Sequence, residues 1–399
     1  MPKKKKVAAV ITEYRKWSHA DVIVGKLLEG YSHQGKDFPD LELVSVYVDQ
    51  FPENDLSRPL AKRHGFRIFA SIFEALTLGG EKLAVDGVLI IGEHGKYPKN
   101  AKGQILYPRR RFFAEVVRTF VKCGKVVPVF HDKHLAAEWK DAKWIYDQAR
   151  KHFVPLMAGS SLPLTWRRPP LQIPNNAAIK GAVQIGYGPL EGYGFHALEA
   201  MQCMVERRRG GETGVKAVQC LQGKAMWQAL DDRRWAKELL ETAMTRVPAH
   251  ARGDYRQLTT KDDSAAVFLT EYRDGLQAAV AMLNGWAYEG DGGAFCFAAN
   301  WEGRDKPAST HFYLQQPDPF AHFAYLVRAI EHLVQTNHAP YPVERTLLTT
   351  GILDAAMTSA HLGHRRIETP HLDIRYSPAK WPFATDPVPK PTQRQWPGN

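Results

Sequence analysis

At 399 residues the chain exceeds what one ordinary hydrophobic core serves, so two domains are expected. A hydrophobic content of 44% with 24% charged residues excludes a disordered or fibrous protein, and no apolar run approaches the length of a membrane span. The net charge of +11 is scattered in small groups, Lys3 to Lys6, Arg109 to Arg111, Arg167-Arg168 and Arg207 to Arg209. No basic-aromatic stripe of the kind that stacks on bases accompanies them, and acidic small molecules or a phosphorylated cofactor explain such groups equally well, so no nucleic-acid partner and no membrane are expected. Cys123, Cys203, Cys220 and Cys296 show no CxxC pairing, which argues against a zinc knuckle or disulfide framework and suits a reducing cytoplasm. Met1 to Lys6 reads as a solvated N-terminus, the following apolar run being too short for a secretory signal, although a longer precursor with its signal removed stays open.

The first part of the chain alternates strand and helix signals. Val7 to Thr12 reads as a strand and Ser18 to Glu29 as a helix with Ser18 as N-cap. Leu43 to Val48 is the second strand, ending in Asp49, and Leu56 to His64 is a helix stopped by Gly65. Phe66 to Phe69 and Ser71 to Leu78 form a short strand and helix, and Asp86 to Ile91 the next strand, breaking at Gly92-Glu93-His94-Gly95. A helix follows from Arg109 to Lys122, then a strand over Val126 to Phe130, a long helix over Leu135 to His152, and Pro155 to Ala158. Repeated strand-helix units with continuous apolar strands predict an α/β Rossmann-type doubly wound parallel sheet over residues 1–159.

The pattern changes after Gly159. Pro163 to Pro174 reads as a linker. Beyond it come longer strands over Ile179 to Gly186, Ala265 to Tyr272, Leu276 to Ala287 and Ala294 to Trp301. Helices fall near Phe195 to Arg208, Arg233 to Thr245, Pro319 to Thr336 and Val343 to His361. Successive strands without helices between them predict an α+β domain over residues 160–376 with a mostly antiparallel open sheet, and residues 377–399 read as a Pro-rich extended tail.

Open α/β sheets bind ligands at the carboxyl ends of their strands. Here those ends carry Thr12, Asp49, Gly92-Glu93-His94 and the cluster His131-Asp132-Lys133-His134. Lys133 is therefore placed to meet a substrate, an ordinary solvated loop being the competing reading. A dinucleotide loop after the first strand needs glycines so that the backbone can approach the pyrophosphate. The loop Thr12-Glu13-Tyr14-Arg15-Lys16-Trp17-Ser18 has none, so only the side chains of Arg15 and Lys16 could attract a phosphate, while Asp49 sits where a carboxylate would take ribose hydroxyls.

From Val7 to about Tyr376 the chain resembles the Gfo/Idh/MocA family, named for glucose-fructose oxidoreductase, inositol dehydrogenase and MocA-like proteins. Asp132-Lys133-His134-Leu135-Ala136 stands where the family reads Glu-Lys-Pro before a helix, and Gly194-Phe195-His196-Ala197 matches the histidine of its second motif. The fingerprint glycines fall on Ile11, Glu13 and Lys16, and the family's aspartate ahead of that histidine falls on Gly192, next to Glu191.

The resemblance implies an oxidoreductase acting on a hydroxyl or keto group of a sugar or cyclitol with NAD or NADP. Lys133 would be the electrostatic partner, His196 the base and Glu191 a stand-in for the missing carboxylate. Thr12, Arg15, Lys16, Asp49, Gly92, Glu93, His94 and Asp132 would line the cofactor. A homo-oligomer paired through the open sheet face is a further expectation. A second reading rests on His19, His94, His131, His134 and His196 with Glu93, Asp132 and Glu191 around one cleft. Imidazole with carboxylate suits a divalent metal in an NAD-free lyase or epimerase. A non-catalytic binding protein is the third reading.

Overall fold

The computed structural model describes residues 4 to 288, 290 to 316, 318 to 394 and 396. Met1 to Lys3 of the basic start and residues 397–399 of the expected tail lie outside them. Among the described residues the chain forms two sheets.

The first contains β1 (Lys5–Ile11), β2 (Leu41–Val48), β3 (Arg67–Phe69), β4 (Gly87–Ile91), β5 (Val129–Asp132) and β6 (Leu156–Gly159), in the order β3-β2-β1-β4-β5-β6. Every pairing in it is parallel. Both β4 and β5 are buried along their whole length, as strands covered by helices on two faces must be. The covering helices are α1 (His19–Glu29), α2 (Ser57–His64), α3 (Ile72–Thr77), α4 (Arg109–Cys123) and α5 (Trp139–Lys151). The Ser18 side chain caps α1 by accepting from Asp21 N at 3.3 Å, and Gly65 closes α2 with a φ of 81°.

Two boundaries differ from the sequence reading. The strand expected over Val126 to Phe130 begins only at Val129, since Pro128 has no N–H to donate to a ladder, and it runs on through His131 and Asp132. The helix expected from Leu135 begins at Trp139 instead. Lys133 takes a left-handed φ of 63° and its N–H bonds Gly159 O at 3.1 Å, which turns the chain before the helix can start.

The second sheet contains β7 (Trp166–Arg168), β8 (Ile179–Gly186), β9 (Val215–Gln222), β10 (Ala266–Tyr272), β11 (Gln277–Met282), β12 (Cys296–Trp301), β13 (Ala308–Tyr313) and β14 (Ile367–Glu368). Their order is β14-β9-β10-β11-β8-β12-β13-β7, antiparallel except for the β8–β11 pair. The segment expected to be a linker thus supplies β7, an edge strand paired to β13 alone, where Pro169 and Pro170 do no harm. The strand expected over Leu276 to Ala287 stops at Met282, where the chain turns through Leu283 to Ala287.

The helices of this half are α6 (Gly192–Val205), α7 (Gly223–Asp231), α8 (Lys237–Met244), α9 (Tyr255–Thr260), α10 (His322–Thr336) and α11 (Val343–His361). Two of them reach back to the first sheet. Phe323, Leu326, Val327 and Ile330 of α10 share a core with Val22 and Ile23 of α1. On α11, Thr346 donates to Ala158 O of β6 at 3.0 Å and Thr349 to Glu199 of α6 at 2.7 Å, so one helix sets α6 against the end of the parallel sheet. Residues 377–394 form no helix or strand, and Arg394 inserts between Asp21 and Glu29 of α1. Among the described residues no helix is long and apolar enough to cross a membrane.

Candidate functional site

The carboxyl ends of β1, β4 and β5 and the start of α6 converge on a cavity of about 190 Å³. One wall is aromatic, from Trp17, Tyr187, Tyr193, Phe295 and Phe323. The other is polar, from His19, Glu93, His94, Lys133 and His196. Of the twelve non-glycine residues with positive φ among the described residues, Trp17, His94, Lys133 and Phe320 all line this cavity. Left-handed backbone costs about 1–3 kcal/mol at a non-glycine residue, and its concentration here marks a place where side-chain direction outweighs local comfort.

A buried ionic ladder forms the polar floor. Lys133 Nζ lies 3.2 Å from Glu93 Oε1, and Arg109 Nη2 lies 2.7 Å from Glu93 Oε2. Burial alone would raise the Glu93 carboxyl, but Lys133 and Arg109 outweigh it and hold the group well below its ordinary value. Arg109 Nη1 also donates to His134 Nε2 at 2.7 Å, which takes that nitrogen's lone pair and leaves Glu191, at 3.3 Å, an electrostatic neighbour of the imidazole. Glu191 further accepts from Ile105 N at 2.9 Å. Glu191 therefore serves the ladder, and its expected pairing with His196 is corrected: His196 Nδ1 meets Ser160 Oγ at 2.6 Å. Burial first, and then the charge of Lys133, push His196 well below its ordinary value. Sequence reading missed Arg109, which is 1% exposed although it opens a helix. Cations are disfavoured at a helix N-terminus, and the run Arg109 to Arg111 there was the available signal of another task.

His19, in the first turn of α1, has its Nδ1 2.7 Å from Asp132 Oδ2 at the end of β5. Its ring stacks 6.2 Å from that of His196 and lies edge-on at 5.6 Å to that of His94. His94 Nδ1 accepts from Arg15 Nη2 at 3.2 Å, while His94 Nε2 is buried without a hydrogen-bond partner among the described residues. The expected histidine cluster thus divides: His131 is fully buried within β5, and His134 faces Arg109. Among the described residues no group of three or more His, Cys, Asp or Glu side chains is arranged to hold a metal ion.

The other half of the groove, over β1 and β2, is differently filled. Thr12 Oγ1 donates to Glu93 O at 2.6 Å, tying the end of β1 to that of β4. Glu13 and Arg15 pair at 2.7 Å, and Lys16 packs over the rings of Trp17 and Trp396, so neither cation stands free over the sheet. Asp49 accepts from Tyr47 at 2.6 Å, Tyr97 at 2.7 Å and Arg111 at 2.5 Å. Burial raises its carboxyl, but these donors prevail and hold it below its ordinary value. Gln50 exchanges two hydrogen bonds with the backbone of Lys96, at 2.9 and 3.0 Å. Gly92 leaves room for Arg109, whose Cγ would lie 2.7 Å from an added Cβ.

This chain is similar in structure to GenD2 from gentamicin A biosynthesis in complex with NAD, with a TM-score of 0.57 at 15% identity over 92% of this chain and 97% of that one. It is similar to scyllo-inositol dehydrogenase from Lactobacillus casei, with a TM-score of 0.56 at 11% identity over 92% and 99%. An oxidoreductase from Agrobacterium radiobacter in complex with NAD+, L-tartaric acid and magnesium matches with a TM-score of 0.54 at 12% identity over 92% and 98%. The chain has the fold of these proteins. The resemblance to the Gfo/Idh/MocA family read from the sequence is carried by that fold over nearly the whole chain. No protein-family model matches the chain, and no curated protein matches it in sequence.

A nicotinamide dinucleotide in this fold runs across the end of β1, its adenosine half over β2 and its nicotinamide half over β4 and β5. The cavity lies on the path of the second half. The first is crossed by the chain's own strap, in which Lys96 and Tyr97 reach from the loop after β4 to Gln50 and Asp49 after β2. A dinucleotide laid there has to part those contacts.

Proposed function

We propose that the chain is an oxidoreductase of Gfo/Idh/MocA type, acting on a hydroxyl or keto group of a sugar or cyclitol with NAD or NADP. The carrying observation is the convergence of Lys133 with the imidazoles of His19, His94 and His196 on one small cavity at the ends of β4 and β5, in a fold whose neighbours include an NAD-bound oxidoreductase. The nicotinamide, when bound, exchanges a hydride with the substrate carbon. The aromatic wall offers flat faces to a saturated ring, as Tyr193 and Phe295 stack with centroids 6.1 Å apart. Lys133 lowers the cost of negative charge developing on the reacting oxygen, and its ladder fixes where the ammonium sits. His196, held neutral, offers a hydrogen bond without bringing charge.

A second reading, an NAD-free lyase or epimerase on an oxidised sugar, is favoured by one observation: the strap together with the glycine-free loop after β1. Titration with NADH and NADPH, followed by nicotinamide fluorescence, separates the two. The oxidoreductase reading expects micromolar binding that weakens in Lys133→Ala. Absence of binding by either nucleotide, with none carried through purification, would hand the case to the second reading. A binding screen over sugars and keto-sugars then narrows the substrate.

A further inference from the structure

Of the imidazoles that line the cavity, from His19, His94, His196 and His322, those of His19 and His196 have partners that differ in kind. Ser160 Oγ, the partner of His196, also accepts from Leu162 N at 3.1 Å and carries no charge. An imidazolium at His196 would therefore be buried beside Lys133, with Glu93 acting only from a distance and no carboxylate hydrogen-bonded to it among the described residues. His19 is the reverse case. Asp132 is 1% exposed and its Oδ2 sits 2.7 Å from His19 Nδ1, so a proton gained at the other nitrogen is balanced by a carboxylate already in place. That pairing also fixes the tautomer, because Nδ1 must carry hydrogen to donate to Asp132. Nε2 is left with its lone pair in a ring that lines the cavity.

We infer that His19 is the general base of this site and Asp132 its positioning residue, with His196 orienting substrate. The inference rests on the proposed oxidoreductase reading for its substrate, and it equally serves the NAD-free reading, since both need a hydroxyl or C–H proton removed. In the hydroxyl case the O–H bond breaks, its electron pair stays on oxygen, and the proton goes to His19 Nε2. The product is an alkoxide beside Lys133 and an imidazolium bonded to Asp132. The charged neighbours of His19 favour that state: Asp132 and Glu93 are anions and Lys133 is the cation, whereas His94, His196 and His322 are held neutral by burial.

The test has one arm that needs no substrate. In protein with nitrogen-labelled histidine, long-range proton–nitrogen spectra assign each ring's tautomer. The expected result is His19 protonated at Nδ1 at neutral pH, with that preference lost in Asp132→Asn while the other histidine signals keep theirs. A His19 protonated at Nε2 in the unaltered protein would overturn the pairing whatever the protein's activity. The second arm uses whichever substrate passes the binding screen. His19→Gln should lower kcat by about 100-fold or more and remove the acidic limb of its pH profile, with KM little changed. Asp132→Asn should move that limb to lower pH, which a purely structural defect would not do. In His196→Gln the main change should be in KM. If instead His196→Gln lost the acidic limb and His19→Gln kept it, the roles would be the other way round.

Discussion

The two halves of the groove across the parallel sheet are built from similar residue types and treat them in opposite ways. Over β2, Asp49 is saturated by two tyrosines and an arginine, and Gln50 gives both ends of its amide to Lys96. Over β4 and β5, His94 Nε2 has no partner among the described residues, His19 keeps one nitrogen for the cavity, and Lys133 and His94 hold left-handed backbone. Buried polar groups normally find partners inside the protein, so a place where they stay incomplete and strained is a place kept for a ligand. A saturated end holds the fold, and an incomplete one is available for chemistry.

The largest expected effect lies in the cavity half. Arg109→Met keeps the bulk of the side chain but leaves Glu93 with one cation instead of two, at a carboxylate within the core. Losing a buried hydrogen bond to a charged group, with a second cation still in place, costs about 1.5–3 kcal/mol. Urea unfolding should show a loss of unfolding free energy of that size, and Arg111→Met, which loses an outward-facing partner of Asp49, should cost far less. Equal losses in the two variants would erase the contrast between the halves.

Acid should expose the same contrast. Burial holds both His94 and His131 at about 3, so each stays neutral in the fold while the unfolded chain protonates it. The unfolded state then binds more protons, and stability falls as pH drops from about 6.5 towards 3. Glu93 adds a loss at lower pH, since its folded value lies below the unfolded one and its contribution disappears as it becomes protonated. His131→Asn should flatten the upper part of the curve and Glu93→Gln the lower part, measured as midpoint against pH. A curve in the His131 variant parallel to that of the unaltered protein would show that its neutrality contributes nothing.

Much of this was legible in the sequence, for identifiable reasons. The parallel sheet follows from continuous apolar strands spaced by helices, and Ser18 and Gly65 mark helix ends through their own backbone chemistry. Lys133 and His196 were found because each sits in a local motif. The His19–Asp132 pair spans 113 residues and has no local signature, so only the fold brings the two together. Glu191 misled because adjacency to the motif's missing aspartate suggested a partner for His196, whereas the turn into α6 aims it at Ile105 N and His134. The segment Pro163 to Pro174 misled because prolines mark linkers and edge strands alike, and β7 is an edge.

The smallest effect bears on the strap itself. Tyr97→Phe removes one donor from Asp49 and leaves Tyr47 and Arg111 in place, so a part-buried hydrogen bond of about 1 kcal/mol is lost without a charge being orphaned. If a dinucleotide binds by displacing the strap, the work of displacement falls by that amount and affinity for NADH should rise roughly fivefold. Asp49 would at the same time be freer to accept ribose hydroxyls, which acts in the same direction. A variant at the cavity end separates this from a general loosening: Lys133→Ala should weaken nucleotide binding while Tyr97→Phe strengthens it. Affinity unchanged by Tyr97→Phe, in a protein that binds NADH, would mean that the nucleotide does not cross the strap, and the saturated half of the groove would then have no part in recognition.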